Sequence, residues 1–206
     1  MIARILLYIK HHMPWLWVLV DRLNTLLYRL LHRRRMAEQV KRAFTEFGLD
    51  GFDFRPLESR DLRQLEELIE RQAPERLEYF QPHAFDQQTL ESMHDNTAFL
   101  MFGVFFGSQL VGYFFLRCFW NRKCFVGRLI DEPFERKGIG RVMNQIMYHI
   151  AWWSCFRCMT TVSKHNKAIM RSHERNPHAR ISQGLANDYL LIEFHPESAQ
   201  HKRIEN

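Results

Sequence analysis

The residues with the clearest capacity for chemistry lie between Leu129 and Arg141, where the chain reads Leu-Ile-Asp-Glu-Pro-Phe-Glu-Arg-Lys-Gly-Ile-Gly-Arg. A β-like run from Cys124 to Asp131 empties into a short turn. Gly138 and Gly140 follow with one residue between them, and a helix-like run continues from Arg141 to Trp153. Glycines at a helix start let backbone amides approach an anion closely, and the helix dipole adds positive potential there. Such a turn grips a phosphate without a charged side chain for each oxygen. A dinucleotide fingerprint needs a third glycine where this chain has Met143, and nothing matches the G-x-x-x-x-G-K-[ST] pattern of a P-loop. A tight strand-to-helix turn with no ligand uses the same glycine spacing, so Glu135 to Gly140 alone leaves both readings open.

The rest of the chain must position this turn. With 206 residues, 46% apolar and 25% charged, it is long enough for one domain with a real core plus an extension, and 17 Phe make that core bulky. The four cysteines, Cys118, Cys124, Cys155 and Cys158, do not form a disulfide framework, and no cleavable signal pattern is seen, so a reducing cytoplasm is the expectation. Cys155-x-x-Cys158 lacks a second such pair and lies at a helix-to-strand boundary, which favours buried small residues over a zinc or redox site. No metal is expected. The net charge of +6 is uneven: residues 1–50 hold 9 Lys/Arg against 4 Asp/Glu, and the remainder 20 against 19. The basic character belongs to the N-terminal arm, which argues against a nucleic-acid-binding face on the domain.

Residues 1–35 read as a basic amphipathic helical arm. Apolar positions recur at helical spacing, with Arg4, Lys10, Arg22 and Arg29 among them and Arg33-Arg34-Arg35 at the end. The longest unbroken apolar run, Met13 to Val20, is 8 residues, far short of the roughly 20 a span requires. Pro14 should break or kink the arm into two helices. Tyr8, Trp15 and Trp17 favour a headgroup region, so peripheral contact with the inner face of a membrane fits; packing on the domain or a dimer seam fits equally. Residues 36–51 read as a helical linker, 52–196 as the domain and 197–206 as a polar tail.

Within the domain, Phe52–Leu57 reads as a strand and Ser59 as the cap of a helix over 60–71. Residues 75–95 form a second helical region interrupted near Pro82. Thr97–Phe106 and Gln109–Trp120 are strands joined by Gly107-Ser108, and Cys124–Asp131 is the next. After the glycine turn and its helix come a strand over 157–162, a helix over 166–174 and a terminal hairpin over 180–194. The order is β-α-α-β-β-β-α-β-α-β-β.

That order, with the glycine turn between the fourth strand and third helix, resembles the GCN5-related N-acetyltransferase (GNAT) superfamily over about residues 52–194. The family's acyl-CoA loop is [QR]-x-x-G-x-[GA]; here it is Glu135-Arg136-Lys137-Gly138-Ile139-Gly140, with Glu at the first position. Val162-Ser-Lys-His-Asn166-Lys-Ala-Ile-Met-Arg-Ser-His173 resembles a second family segment, V-x-x-x-N-x-x-A-x-x-x-Y, with His173 at the tyrosine. The resemblance implies an α/β fold with a mixed, mostly antiparallel central sheet flanked by helices, carrying the N-terminal amphipathic extension. It implies acetyl-CoA as cosubstrate. Leu129, Ile130 and Asp131 then face the pantetheine arm and thioester, and the amides of Arg136, Lys137, Gly138, Ile139, Gly140 and Arg141 hold the pyrophosphate. Arg136, Lys137 and Arg141 add charge, and Asn166 is a further cofactor contact.

Acetyl transfer to an amine needs a polarised carbonyl, a neutral amine and a stabilised thiolate. By the same resemblance His173 is the candidate acid for the thiolate. Asp131 or Glu132 is the candidate base for the amine, and His83 the candidate in the segment covering the acceptor cleft. No cysteine sits convincingly at the cleft, which disfavours an acyl-enzyme. The acceptor amine is not legible; the arm permits a membrane-proximal acceptor such as an amino sugar of cell-envelope polysaccharide assembly. Two alternatives stand beside direct N-acetylation: a non-catalytic acyl-CoA sensor or docking module, and an acyltransferase drawing a longer chain from acyl-carrier protein.

Overall fold

The computed structural model describes residues 14–80 and 83–196, with side chains described from residue 18 onward. Two helices lead, α1 (Pro14–Leu31) and α2 (Arg33–Glu46). The domain then runs β1 (Asp53–Pro56), α3 (Leu62–Glu70), α4 (Pro74–Leu77), α5 (Gln87–Asp95), β2 (Phe99–Phe106), β3 (Gln109–Cys118), β4 (Lys123–Ile130), α6 (Ile139–Trp153), β5 (Arg157–Ser163), α7 (Lys167–Glu174), β6 (Ala179–Gly184) and β7 (Tyr189–Phe194). Short 3₁₀ turns at Ser59–Asp61 and Glu132–Phe134 precede α3 and α6.

The seven strands form one sheet in the order β1-β2-β3-β4-β5-β7-β6. Every neighbouring pair is antiparallel except β4 and β5, which are parallel. The expected mixed, mostly antiparallel sheet is therefore present. Side-chain alternation sends Tyr113, Phe115 and Leu129 to one face, against Leu62, Leu65, Leu68 and Leu90. Phe102, Val104, Phe114 and Val126 go to the other, against α6, whose Ile139, Val142, Met143, Ile146 and Ile150 repeat at helical spacing.

Tyr28, Met36 and Ala43 are buried in that second core. The segment read as a helical linker over 36–51 is thus largely helix α2, packed on the domain. Pro14 opens α1 with its fixed φ suited to a first helical turn; the expected helix before it, and the polar tail over 197–206, lie outside the described residues. Ser59 is not the cap expected for α3. The entry turn is closed by Asp61, whose Oδ2 accepts from the Glu58 amide at 2.7 Å and from Arg55 Nη1 at 2.6 Å.

Candidate active site

The site begins where two strands stop pairing. β4 and β5 are joined only at Lys123–Arg157, Cys124–Cys158 and Phe125–Met159. Past Phe125 they diverge, and a cavity of about 520 Å³ opens between them. Its walls are Val126–Ile130 of β4, Thr160–Ser163 of β5, Asn144, Met147 and Tyr148 of α6, and Asn166, Ile169 and His173 at α7. Glu75, Arg76, Tyr79 and Phe80 line it as well.

Strand register decides which backbone groups face this gap. Asp131 N donates to Val111 O of β3 at 2.9 Å. Antiparallel alternation then turns the amides and carbonyls of Arg128 and Ile130 the other way, toward β5. Of the three positions expected to face the cofactor arm, Ile130 presents its backbone to the wedge. Leu129 places its side chain in the core on the α3 face. The Ile130 carbonyl is met by Arg76 Nη2 at 2.8 Å, and the same guanidinium pairs with Glu135 at 2.7 Å. Glu135, where the family motif has Gln or Arg, is thereby tied to α4.

At the open end of the wedge, Arg136 and Gly138 adopt left-handed backbone, with φ of 58° and 88°. These two reversals aim a run of N–H groups outward. Among the described residues, the amides of Arg136, Lys137, Gly138, Ile139 and Gly140 have no acceptor, whereas Arg141 N is taken by Gly138 O at 3.0 Å. Consecutive free amides at the positive end of a 15-residue helix make a cradle for an anion. The side chains of Arg136 and Arg141 are exposed beside it, and Lys137 Nζ lies 4.8 Å over the Phe134 ring.

Sequence reasoning missed Arg128. Its side chain shares the α6-facing phase of β4 with Val126 and Ile130, where an apolar residue belongs. Its Nε donates to Asn144 Oδ1 at 2.9 Å, and no carboxylate pairs with it among the described residues. Gly140 makes the space: a β-carbon there would sit 2.8 Å from Arg128 Nη1. Burial pulls its pKa below the usual guanidinium value, yet an arginine keeps its charge. A cation beside the first turn of α6 adds to the helix dipole, so this corner of the cavity carries positive potential, offset in part by the Glu135 carboxylate. The sequence signal was a lone charge in a core-facing strand phase.

His173 lines the cavity, with its pKa lowered to about 4 first by burial and then by the Arg128 charge. The imidazole is therefore neutral near pH 7, and about one molecule in a thousand holds the imidazolium that a proton donor needs. An anion bound beside Arg128 would cancel that charge and raise the value. The sign for stability follows: unfolded His173 protonates near pH 6.5 and folded His173 near 4, so stability falls as pH drops through that window. The change is on the order of 2–3 kcal/mol by pH 4. Replacing His173 by Phe should flatten the urea-midpoint profile between pH 6.5 and 4.

Asn166 caps α7, its Oδ1 accepting from Ile169 N at 3.1 Å, which leaves its amide nitrogen for the cavity. Asp131 is placed differently from a mobile base. It is 5% exposed, with Oδ2 held by Arg71 Nε at 2.8 Å and Oδ1 by Gln72 Nε2 at 2.7 Å. An Asp131→Asn substitution should lower stability by about 2 kcal/mol, because Arg71 loses its counter-charge in a mostly buried pair. Turnover lost at unchanged denaturation midpoint would instead mark Asp131 as a base. Glu132 is exposed and does not line the cavity. His83 also lies outside it, with Nε2 3.1 Å from the Tyr113 hydroxyl among Phe85, Phe99 and Phe115; burial lowers its pKa. The carboxylates lining the cavity are Glu75 and Glu135, and of these only Glu135 has an ion-pair partner among the described residues.

Neither protein-family models nor curated protein sequences match the chain. Solved structures do. The PaiA N-acetyltransferase from Thermoplasma acidophilum, in complex with coenzyme A, superimposes with a TM-score of 0.58 at 17% identity, over 69% of this chain and 98% of its own. The GNAT domain of S. lividans PAT gives 0.59 at 13% identity, covering 68% and 88%. The ribosomal-protein-S18-alanine N-acetyltransferase from Escherichia coli gives 0.54 at 11% identity, covering 72% and 97%. At these identities the likeness is one of fold, and the chain has the fold of the GCN5-related N-acetyltransferases.

Proposed function

We propose that the protein is an acyl-CoA-dependent N-acetyltransferase that moves an acetyl group directly from acetyl-CoA to an amine. The observation that carries this reading is the run of acceptor-free amides from Arg136 to Gly140 at the mouth of the β4–β5 wedge. The cradle takes the pyrophosphate, and the arm enters between the strands along the β5-facing edge of Arg128 and Ile130, where Arg76 already holds the Ile130 carbonyl. The thioester is delivered to the face where Glu75, Tyr79 and Phe80 line the cavity. An ammonium acceptor entering on that side meets Glu75, which accepts its proton directly or through water. Arg128 places a fixed positive charge in the wedge, where it stabilises negative charge on the departing CoA.

The test is titration with acetyl-CoA by calorimetry, followed by thiol release over a panel of amines. Peptide α-amines and amino sugars are the two principal arms, the second reflecting the cell-envelope reading. Micromolar binding with release on one arm is the expected result, and Glu75→Gln should slow release about tenfold or more with CoA affinity unchanged. No binding by the folded protein would reduce the likeness to fold alone. Binding without release on any amine would favour an acyl-CoA sensor. That second reading draws on one observation: Asp131 is locked by Arg71 and Gln72, so the wedge lacks the base expected from its sequence.

A further inference from the structure

Helix α1 is mounted with its polar side inward. Asn24 is 8% exposed, donating to Cys118 O at 3.2 Å and accepting from Trp120 N at 3.1 Å. Asp21, the one acidic residue of α1, is turned to the domain, where Arg117 and Asn96 donate to it at 3.2 and 3.3 Å. Thr25 donates to Asn96 at 2.9 Å, and Tyr28 is fully buried. The opposite side carries Leu19, Leu23, Leu26 and Leu30, which are 57%, 54%, 43% and 70% exposed. At ~100° per residue these four leucines fall within about 60° of arc, a continuous apolar stripe facing away from the core. Arg22 and Arg29 run along one flank, both exposed, and Arg33 follows at the start of α2. None of these three has an ion-pair partner among the described residues.

We infer that this stripe docks on an anionic lipid surface, with the leucines in the acyl–headgroup boundary and the arginines among the phosphates. An amphipathic helix with leucines on one face and arginines beside them has the chemistry of an interfacial anchor. Among the described residues, no helix is long and apolar enough to cross a membrane, so the geometry is that of a helix lying on the surface. Charge selects lipid over a second copy of this chain. A two-fold seam along the stripe would set the same unpaired arginines against each other, with Asp21 facing inward and unable to compensate. The inference is independent of the acyltransferase reading, since it rests only on how α1 is mounted.

The experiment is flotation of the full-length protein with vesicles of phosphatidylcholine alone or with an equal part of phosphatidylglycerol. A Leu23→Gln, Leu26→Gln, Leu30→Gln variant and an Arg22→Gln, Arg29→Gln variant run beside it. The substituted side chains are exposed and the inward bonds of α1 are untouched, so circular dichroism and thermal midpoint should match the parent. The expected result is binding to the anionic vesicles, weakened at least about tenfold on neutral ones and in each variant. Absence of binding by the parent, or equal binding by the leucine variant, overturns the proposal. So does a dimer in sedimentation that the leucine variant dissolves, which would assign the stripe to self-association.

Discussion

Gly138→Asp should weaken acetyl-CoA binding by about a hundredfold or more while the protein stays folded. Gly138 sits at φ 88°, at the N-cap of α6, and a β-carbon there would meet only the Leu49 methyls, at an ordinary contact distance of 3.9 Å. Left-handed backbone costs an ordinary residue about 1 kcal/mol, and Asp is among the side chains that tolerate it best. The damage is therefore electrostatic. A carboxylate at position 138 stands among the five free amides and occupies the place of the phosphate oxygens. Gly138→Asn separates shape from charge: it carries the same bulk without the anion and should lose far less affinity. Calorimetry on both variants is decisive, and equal binding by the Asp variant and the parent would remove the cradle as the anion site.

Arg128→Met should weaken coenzyme A about ten- to a hundredfold and leave the thermal midpoint unchanged or higher. The two directions have one cause. The guanidinium is held in the wedge by one neutral hydrogen-bond partner, Asn144, beside a helix end of like sign, with the Glu135 carboxylate offsetting only part of its burial. Without ligand it is a costly buried charge that a similarly sized apolar side chain relieves; with an anionic ligand it is an attraction that the substitution removes. His173 supplies a third readout. Part of its depressed pKa comes from Arg128, so in the Met variant the value should rise from about 4 toward the ordinary imidazole range. A variant that lost stability and affinity together, with His173 unmoved, would mark Arg128 as a packing residue only.

Local signals were legible in the sequence and non-local ones were not. The glycine turn, the Gly107-Ser108 hairpin and the succession of elements along the chain could be read because each depends on residues adjacent in the chain. Arg128 was legible in principle, as a charge in the phase of Val126 and Ile130. Asp131 was not: the groups that hold it, Arg71 and Gln72, lie 60 and 59 residues away. The end of β4–β5 pairing at Phe125 was also hidden, because pairing between strands leaves no mark on either strand alone. For α1, periodicity gave two faces but not their direction. Leucines conventionally face a core, yet here Asn24 and Asp21 do so, because the turn around Trp120 and the Arg117 side chain offer polar partners.

The brief pairing of β4 with β5 makes the sheet a jointed object. Strands β1 to β4 form one plate and β5, β7 and β6 another, coupled by three rungs at one end and by α6 across the back. The edge of β4 beyond Phe125 is a template with no strand on it. A pantetheine arm, with its own amides, can lie there as a surrogate strand, bracing the two plates across the gap. Ligand then becomes part of the architecture: amide exchange at Arg128 and Ile130 should slow when it is bound, and the whole fold should melt later.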